Sequence, residues 1–390
     1  MKVCVVGAGI SGLSCIHELK KAGVPYVCYE KRRFLGGIWN YSDTEYSVYR
    51  SCVQNHPRAL MSINGIDIQQ SNDDYVNHEQ YLSYLKQFDC ENIAYEVEVL
   101  SAEQLEGGWR ITTSQGVEEF AALIVCSGHY VSPNIPADFD KFTCRVIHSC
   151  QYKEPSTFRG ERVLIVGAGS SAIQIASDLV EVAESIFIST RKMPYVLPRY
   201  VNGKTLLSFY REVKDLSESE ILAQLKEAGV DQSLYGLPPP QQSLLGSTTL
   251  PIGDTIFKQV QNGDVKFISE IIAIYGNNVH LKNDEPIVVD SVLLATGFNF
   301  EFSFFTESID YADNVDYIIN KKYKNLYFVG MVQPIGPVPP MLSAQARVVA
   351  SIISGSIDSK HSLRHNFSDG TKRVILEKYL EHLHKKYFSV

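Results

Sequence analysis

Several features are missing from this sequence of 390 residues, and each absence removes a class of protein. No stretch reaches the roughly 18 apolar residues of a membrane-spanning helix, so an integral membrane protein is not expected. No basic leader with an apolar core precedes the first strand-like run. The chain passes from Met1-Lys2 straight into Val3-Cys4-Val5-Val6, so a cytoplasmic protein without a signal peptide is expected. Its last residues, Leu383 to Val390, are basic and amphipathic rather than a hydrophobic anchor. A basic excess is also missing. The 36 Lys and Arg face 44 Asp and Glu for a net charge of -8, which weighs against a nucleic-acid partner.

Cysteines number eight, at 4, 15, 28, 52, 90, 126, 144 and 150, and no two form C-x-x-C. That weighs against a disulfide reductase and leaves reduced thiols acting as small hydrophobes. No metal-ligand cluster shows in the spacing of His, Cys, Asp and Glu, so no metal is expected. No repeat of 20–50 residues runs along the chain, which excludes a solenoid.

What is present is one device used twice. Val3-Cys4-Val5-Val6-Gly7-Ala8-Gly9-Ile10-Ser11-Gly12 is an apolar run, a glycine turn and the start of a helical pattern. Arg162-Val163-Leu164-Ile165-Val166-Gly167-Ala168-Gly169-Ser170-Ser171-Ala172 is the same arrangement 160 residues on. Such a turn binds a pyrophosphate. Its first glycine makes the tight bend, the second lets the ligand reach the backbone, and the third lets the helix pack on the strand. The helix N-terminus then presents N–H groups and a positive dipole end. Apolar residues Ile10, Leu13, Ile16 and Leu19 mark the buried face of the first helix, and Ile173, Ala176 and Leu179 that of the second. The pattern predicts an α/β protein with two Rossmann-like dinucleotide-binding domains. The first domain spans 1–153 and 286–390, and the second, 154–285, is inserted into it.

The two copies differ where the following strand ends. Glu30 stands 23 residues after Gly7, and a carboxylate there suits a ribose diol. Arg191 stands 24 residues after Gly167 and is followed by Lys192. Cations there suit a 2′-phosphate, so the second site is expected to take NADPH and the first FAD. Gly36-Gly37 after Glu30 adds a backbone that a large cofactor can approach. The helical and strand patterns further predict strands at 95–100, 109–113, 122–126, 185–189, 291–295 and 326–329. Helices are predicted at 79–88, 218–228, 343–354 and 371–387.

On these residues the chain resembles the class B flavin-containing monooxygenases. The likeness takes in the first glycine turn, Glu30-Lys31, Gly36-Gly37-Ile38-Trp39 and Asn55-x-x-Arg58-x-x-Met61. It continues through Cys126-Ser127-Gly128-His129, the second glycine turn, Ala295-Thr296-Gly297-Phe298 and Gln345-Ala346-Arg347. Between the domains the family reads F-x-G-x-x-x-H-x-x-x-[FY], and this chain reads Phe142-x-Cys144-x-x-x-His148-x-x-x-Tyr152. Cys144 in place of the glycine puts the local turn in question. Tyr152 stands where Baeyer–Villiger relatives usually have Trp, which favours oxygenation of a heteroatom.

The resemblance implies a monooxygenase that uses NADPH and O2 to oxygenate nitrogen or sulfur in a small molecule through a C4a-hydroperoxyflavin. A Baeyer–Villiger enzyme and an NADPH oxidase or flavoprotein reductase are the alternatives. Expected FAD contacts are Gly7, Gly9, Ser11, Gly12, Glu30, Lys31, Gly37, Trp39, Val99 (through its backbone) and Gln345. Expected NADP contacts are Gly167, Gly169, Ser170, Ser171, Ala172, Arg191, Lys192 and Thr296. Asn55 is the expected catalytic group, a neutral amide beside the flavin that can donate and accept; a plain turn asparagine before Pro57 is the other reading. His148 reads as a structural histidine or as a catalytic one, and Gln345 as a flavin contact or a core residue. The loop at 232–248 and the segment at 60–75 are candidates for the substrate cavity. A homodimer is compatible with the sequence.

Overall fold

The computed structural model describes residues 2–42, 46–69, 71–88, 91–245, 250–307, 309, 314–357 and 373–388. Thus Cys90, position 70 of the candidate segment 60–75, positions 246–248 of the candidate loop, and the first two residues of the last predicted helix, 371–372, lie outside the described residues. In chain order the elements used below are β1 (Val3–Val6), α1 (Ile10–Lys21), β2 (Tyr26–Glu30), β3 (Ile93–Tyr95), β4 (Ala122–Val125), β5 (Arg145–His148), β6 (Arg162–Val166), α2 (Ser170–Leu179), β7 (Ser185–Ser189), β8 (Val265–Ile268), β9 (Ser291–Leu294), β10 (Leu326–Phe328), α3 (Val338–Ile353) and α4 (Leu376–Tyr387).

The chain divides into two units. Unit one comprises 1–42, 56–132 and 299–390, and unit two comprises 43–55 and 133–298. Unit one is built on a parallel sheet in the order β10-β4-β1-β2-β3. Strand residues alternate between faces, and both faces are covered, which is why β1 is apolar throughout. Val3 and Val5 pack with Cys15, Ile16 and Leu19 of α1 and Leu342, Ala346 and Val349 of α3. Cys4 and Val6 pack on the other face with Trp109, Ile111 and Phe120. Those three come from an antiparallel meander, Val99–Leu105, Gly108–Thr113 and Gly116–Phe120. Each fully buried Val, Leu or Ile adds about 1.5–3 kcal/mol over an exposed one.

Unit two repeats the plan with the parallel order β8-β7-β6-β9-β5. Val163 and Ile165 face Ile173, Ala176 and Leu179 of α2, while Leu164 packs with Val292 and Leu294 from the other side. In each sheet the glycine-turn strand lies between the next strand in sequence and a much later one. That reversal of strand order is where open α/β sheets bind ligands, outside the carboxyl ends of the strands.

The structure moves several expected boundaries. The division at 153/154 and 285/286 shifts because β5 and β9 are hydrogen-bonded into the second sheet beside β6. Segment 46–55, expected in the first domain, also belongs to unit two. The strand expected at 95–100 is two strands, since Glu96 turns the chain with φ 57°. The helix expected from Ser343 starts at Val338 and takes Pro339 and Pro340 into its first turn, where helix N–H groups have no intrahelical partner anyway. Before α4, a short strand, Arg373–Ile375, pairs with Gln333–Ile335. Among the described residues no helix is long and apolar enough to cross a membrane.

Candidate functional site

The first glycine turn is set by steric limits. Gly7 has φ 98°, donates its N–H to the Tyr29 carbonyl at 2.8 Å, and an added Cβ would meet the Cys126 carbonyl oxygen at 2.7 Å. A Cβ on Gly12 would fall 1.9 Å from the Gly7 oxygen, so α1 sits too close to β1 for any side chain there. The second glycine pair folds over this turn. Gly36 N–H donates to the Ala8 carbonyl at 2.9 Å, and a Cβ on Gly37 would be 3.0 Å from the Gly9 Cα.

Glu30 is buried at the end of β2, where its two oxygens accept the backbone N–H groups of Ala8 (2.7 Å) and Arg32 (2.9 Å). It therefore grips the turn itself, and its remaining lone pairs are what a ribose would use. Lys31 is exposed, and Trp39 meets Tyr81 edge to face. Val99 pairs with Thr113 in the meander, whereas Val97 is the residue bonded to the end of β2, its N–H to the Glu30 carbonyl at 3.0 Å. Sequence reasoning missed Val97; its place between Glu30 and the meander was hidden by treating 95–100 as one strand.

The second turn follows the same plan. Gly167 has φ 110°, donates to the Ser189 carbonyl at 2.9 Å, and a Cβ there would be 2.5 Å from the Ala295 oxygen. Ala172 occupies the third position, fully buried, so α2 stands off far enough to admit a methyl group. A Cβ on Gly169 would meet nothing within 4 Å. Both α1 and α2 start at a glycine with no side-chain cap and no acid in the first turn. By contrast, helices His78–Leu85 and Glu218–Glu227 carry full capping boxes. First-turn N–H groups left without a protein acceptor suit an anion. Ser170 and Ser171 lie in that first turn. Arg191 and Lys192 are exposed just past the end of β7. Thr296 follows β9, and its hydroxyl donates to the Asn134 carbonyl.

Each unit also has a buried histidine on a glycine carbonyl. In unit one, His129 Nδ1 donates to the Gly330 oxygen at 3.1 Å, and burial pulls its pKa down to about 4. In unit two, His148 Nδ1 accepts the Cys150 N–H at 3.3 Å, which leaves the proton on Nε2 to donate to the Gly297 oxygen at 2.9 Å. Burial lowers its pKa as well. His148 caps the short helix Ser149–Gln151, and Tyr152 donates its hydroxyl to Asp178 at 2.6 Å. The family-specific segment is thus a structural brace in unit two. Tyr152 is 1% exposed, and its ring packs against Tyr49 and Phe158. Cys144, in place of the family glycine, keeps a negative φ, so the turn needs no glycine.

Gln345 is fully buried. Its oxygen accepts the Gly330 N–H at 2.9 Å, and its nitrogen donates to the Tyr379 hydroxyl at 2.9 Å. It shapes the Gly330 turn, where an added Cβ would be 2.4 Å from Ser11 Oγ. Part of the segment 60–75 is core: Met61, Ile63 and Ile68 pack with Tyr81, Tyr84 and Leu85. Among the described residues Cys4, Cys15, Cys28, Cys126 and Cys150 are buried, and Cys52 and Cys144 are half-buried. Burial pushes Cys52 up to about 12 and Cys150 up to about 11, and Cys15 and Cys126 touch with sulfurs 3.6 Å apart.

Asn55 sits on unit two at the end of segment 46–55. Arg199 holds this segment by donating to the carbonyls of Gln54 (3.0 Å) and Val53 (3.1 Å). The Asn55 oxygen accepts from Gln174 of α2 at 2.6 Å. Gln54 beside it is 2% exposed, and neither atom of its side-chain amide has a partner. A buried orphan amide is unfavourable unless a ligand completes it.

The sequence model for the family described as flavin-binding monooxygenase-like matches residues 1–382. The chain belongs to that family. Flavin-containing monooxygenase 5 of Oryctolagus cuniculus is 26% identical over 91% of this chain and 73% of its own length. Dimethylaniline monooxygenase [N-oxide-forming] 2 of Cavia porcellus is 27% identical over the same shares. Among solved structures, S-allyl-L-cysteine S-oxygenase from Allium sativum matches 99% of this chain and 88% of its own, with TM-score 0.71 and 19% identity. An open structure of cyclohexanone monooxygenase matches 100% and 93%, with TM-score 0.71 and 16% identity. As a member of the family, this flavin-binding monooxygenase is an NADPH-dependent FAD enzyme.

Proposed function

We propose that this flavin-binding monooxygenase oxygenates a nucleophilic nitrogen or sulfur of a small organic molecule, with FAD at the first glycine turn and NADPH at the second. The observation that carries the cofactor assignment is the pair of uncapped helix N-termini, with buried Glu30 beside one and exposed Arg191 and Lys192 beside the other. The residues fit the two groups. Gly9 and Gly37 leave backbone bare over the first turn, and the space above Gly169 is open at the second.

Bound FAD and NADPH supply the redox chemistry: hydride transfer and the activation of oxygen. The chain supplies binding and position. Gly7 makes the bend, Gly9, Ser11 and Gly12 bring the open start of α1 to the FAD pyrophosphate, Glu30 takes the ribose, and Val97 rather than Val99 takes the adenine side. Lys31 and Trp39 border that site. Gly167, Gly169, Ser170, Ser171, Ala172 and Thr296 receive NADP, and Arg191 and Lys192 pair with its 2′-phosphate. Asn55 offers a hydrogen bond to the nicotinamide cofactor on unit two. Gln345 acts through the Gly330 turn and does not touch the cofactor.

Heteroatom chemistry is supported by the likeness to the N-oxide-forming dimethylaniline monooxygenase. The likeness to cyclohexanone monooxygenase concerns the fold alone. The test is incubation of holoenzyme and NADPH under 18O2 with N,N-dimethylaniline, a thioether and cyclohexanone side by side. Labelled N-oxide or sulfoxide is the expected product. Labelled lactone as the main product, or label found solely in hydrogen peroxide with all three, overturns the reading.

A further inference from the structure

We infer that Gln174 is a positioning residue for Asn55, fixing its amide so that it serves as a hydrogen-bond donor. The inference rests on the assignment of Asn55 to cofactor chemistry. Gln174 Nε2 lies 3.2 Å from the Ile252 carbonyl and 2.6 Å from Asn55 Oδ1, and Gln174 Oε1 lies 2.6 Å from the Tyr49 hydroxyl. A backbone carbonyl only accepts, so Ile252 requires the nitrogen of Gln174 on its side. That nitrogen only donates, so Asn55 must turn its oxygen toward Gln174. The Tyr49 hydroxyl then has to donate to Oε1, and burial, which raises its pKa well above the ordinary value, keeps it protonated.

The backbone of this segment does not depend on Gln174. Arg199 holds the Val53 and Gln54 carbonyls, the Arg50 N–H donates to the Lys153 carbonyl at 2.9 Å, and Lys153 Nζ donates to Ser47 at 2.7 Å. Gln174 therefore sets the direction of the amide rather than the place of the segment. Asn55 is left with its two Nδ2 protons to offer. The ligand it suits has an acceptor at that point, a carbonyl oxygen or a ring nitrogen, as a carboxamide or a flavin has. Gln174 also stands on α2, five residues past the Gly169 cap, so the orientation is set from the helix that begins at the second glycine turn.

The test uses holoenzyme variants and two readouts: the NADP+ dissociation constant from equilibrium titration of the flavin absorbance, and peroxide release from NADPH and oxygen without substrate. Gln174→Glu keeps the shape but loses the donor, so Asn55 reverses its amide. We expect NADP+ binding to weaken about 10-fold and peroxide release to rise about 10-fold, the size of one hydrogen bond. Asn55→Asp, which keeps the bond to Gln174 and loses the Nδ2 donor, should match it. In an Asn55→Ala background, Gln174→Glu should add nothing. If Asn55→Ala changes both readouts and Gln174→Glu changes neither, the inference about Gln174 is overturned while Asn55 keeps its role. If Asn55→Ala changes neither, the assignment of Asn55 itself falls. Should Gln174→Glu lower the melting temperature or the FAD content, Gln174→Met removes the donor without adding charge and is held to the same outcomes.

Discussion

The last helix of unit one is held by a buried charge, and removing that charge is expected to loosen both the fold and the flavin site. Asp316 is fully buried, and its carboxylate accepts from Lys386 at 2.6 Å, His382 at 3.0 Å and Tyr387 at 2.7 Å. Lys386 is itself only 7% exposed. All three donors lie on α4. Asp316 has φ 53°, a conformation asparagine tolerates well, so Asp316→Asn changes charge with little backbone strain. Breaking a buried pair from one side costs about 3–5 kcal/mol because the other charge remains buried. For a unit of this size each kcal/mol is worth about 2–4 °C, so the melting temperature should fall by on the order of 10 °C. The loss should reach the cofactor. Tyr379 of α4 donates to the Asp316 backbone carbonyl and accepts from Gln345, which holds the Gly330 N–H. Differential scanning fluorimetry, read by flavin and by tryptophan fluorescence, follows both events, and FAD release should come first. The companion change Lys386→Met should be partly compensating in the double variant. A fall of less than about 2 °C for Asp316→Asn, or strict additivity with Lys386→Met, would show that the cluster is not a coupled latch.

Three further outcomes are expected. Arg191→Ala should raise the KM for NADPH by about 10- to 100-fold, as for loss of one charge-assisted phosphate contact, and leave the KM for NADH nearly unchanged; equal effects on both would remove the 2′-phosphate argument. Gly12→Ala should yield little folded, yellow protein because its methyl group has no room against Gly7, whereas Gly169→Ala should fold and hold FAD normally yet bind NADP+ more weakly, which purification yield and titration will distinguish. Stability should fall as pH drops from about 6.5 to about 4, because the unfolded chain takes up a proton on His129 before the folded one does. That histidine contributes up to about 3 kcal/mol. His56, also pulled down to about 4 by burial, acts in the same direction, so His129→Gln should reduce the slope of urea stability against pH without abolishing it.

The sheets were legible because their strands are short apolar runs next to glycine turns, a local pattern that physics enforces twice. The meeting of Glu30 with Ala8, or of Gly12 with Gly7, follows from that pattern. What sequence could not show was pairing across long separations. Strand β5 looked like part of a connector, and only its hydrogen bonds to β9, about 150 residues later, place it in the second sheet. Asn55 could be picked by its motif, but its partner Gln174 lies 119 residues away. Gln345 could be read from its motif either as a flavin contact or as a core residue, since a buried amide that braces a turn and one that meets a ligand look identical in one dimension. His148 carried a motif whose strength comes from architecture: capping a short helix and tying a strand exit.

The path of the chain has a consequence for how this protein can be divided. It passes between the units four times, after residues 42, 55, 132 and 298. A contiguous fragment covering 133–298 would therefore lack the peptide 46–55 and would expose Gln174, Arg199 and Lys153 without the groups they bind. Recombination at two breakpoints cannot move the nucleotide unit intact into another enzyme. A working chimera has to carry the short peptide with it, grafted or supplied in trans; given the role proposed for Arg191 and Lys192, point substitution at the end of β7 is a shorter route to a changed cofactor preference than exchange of modules.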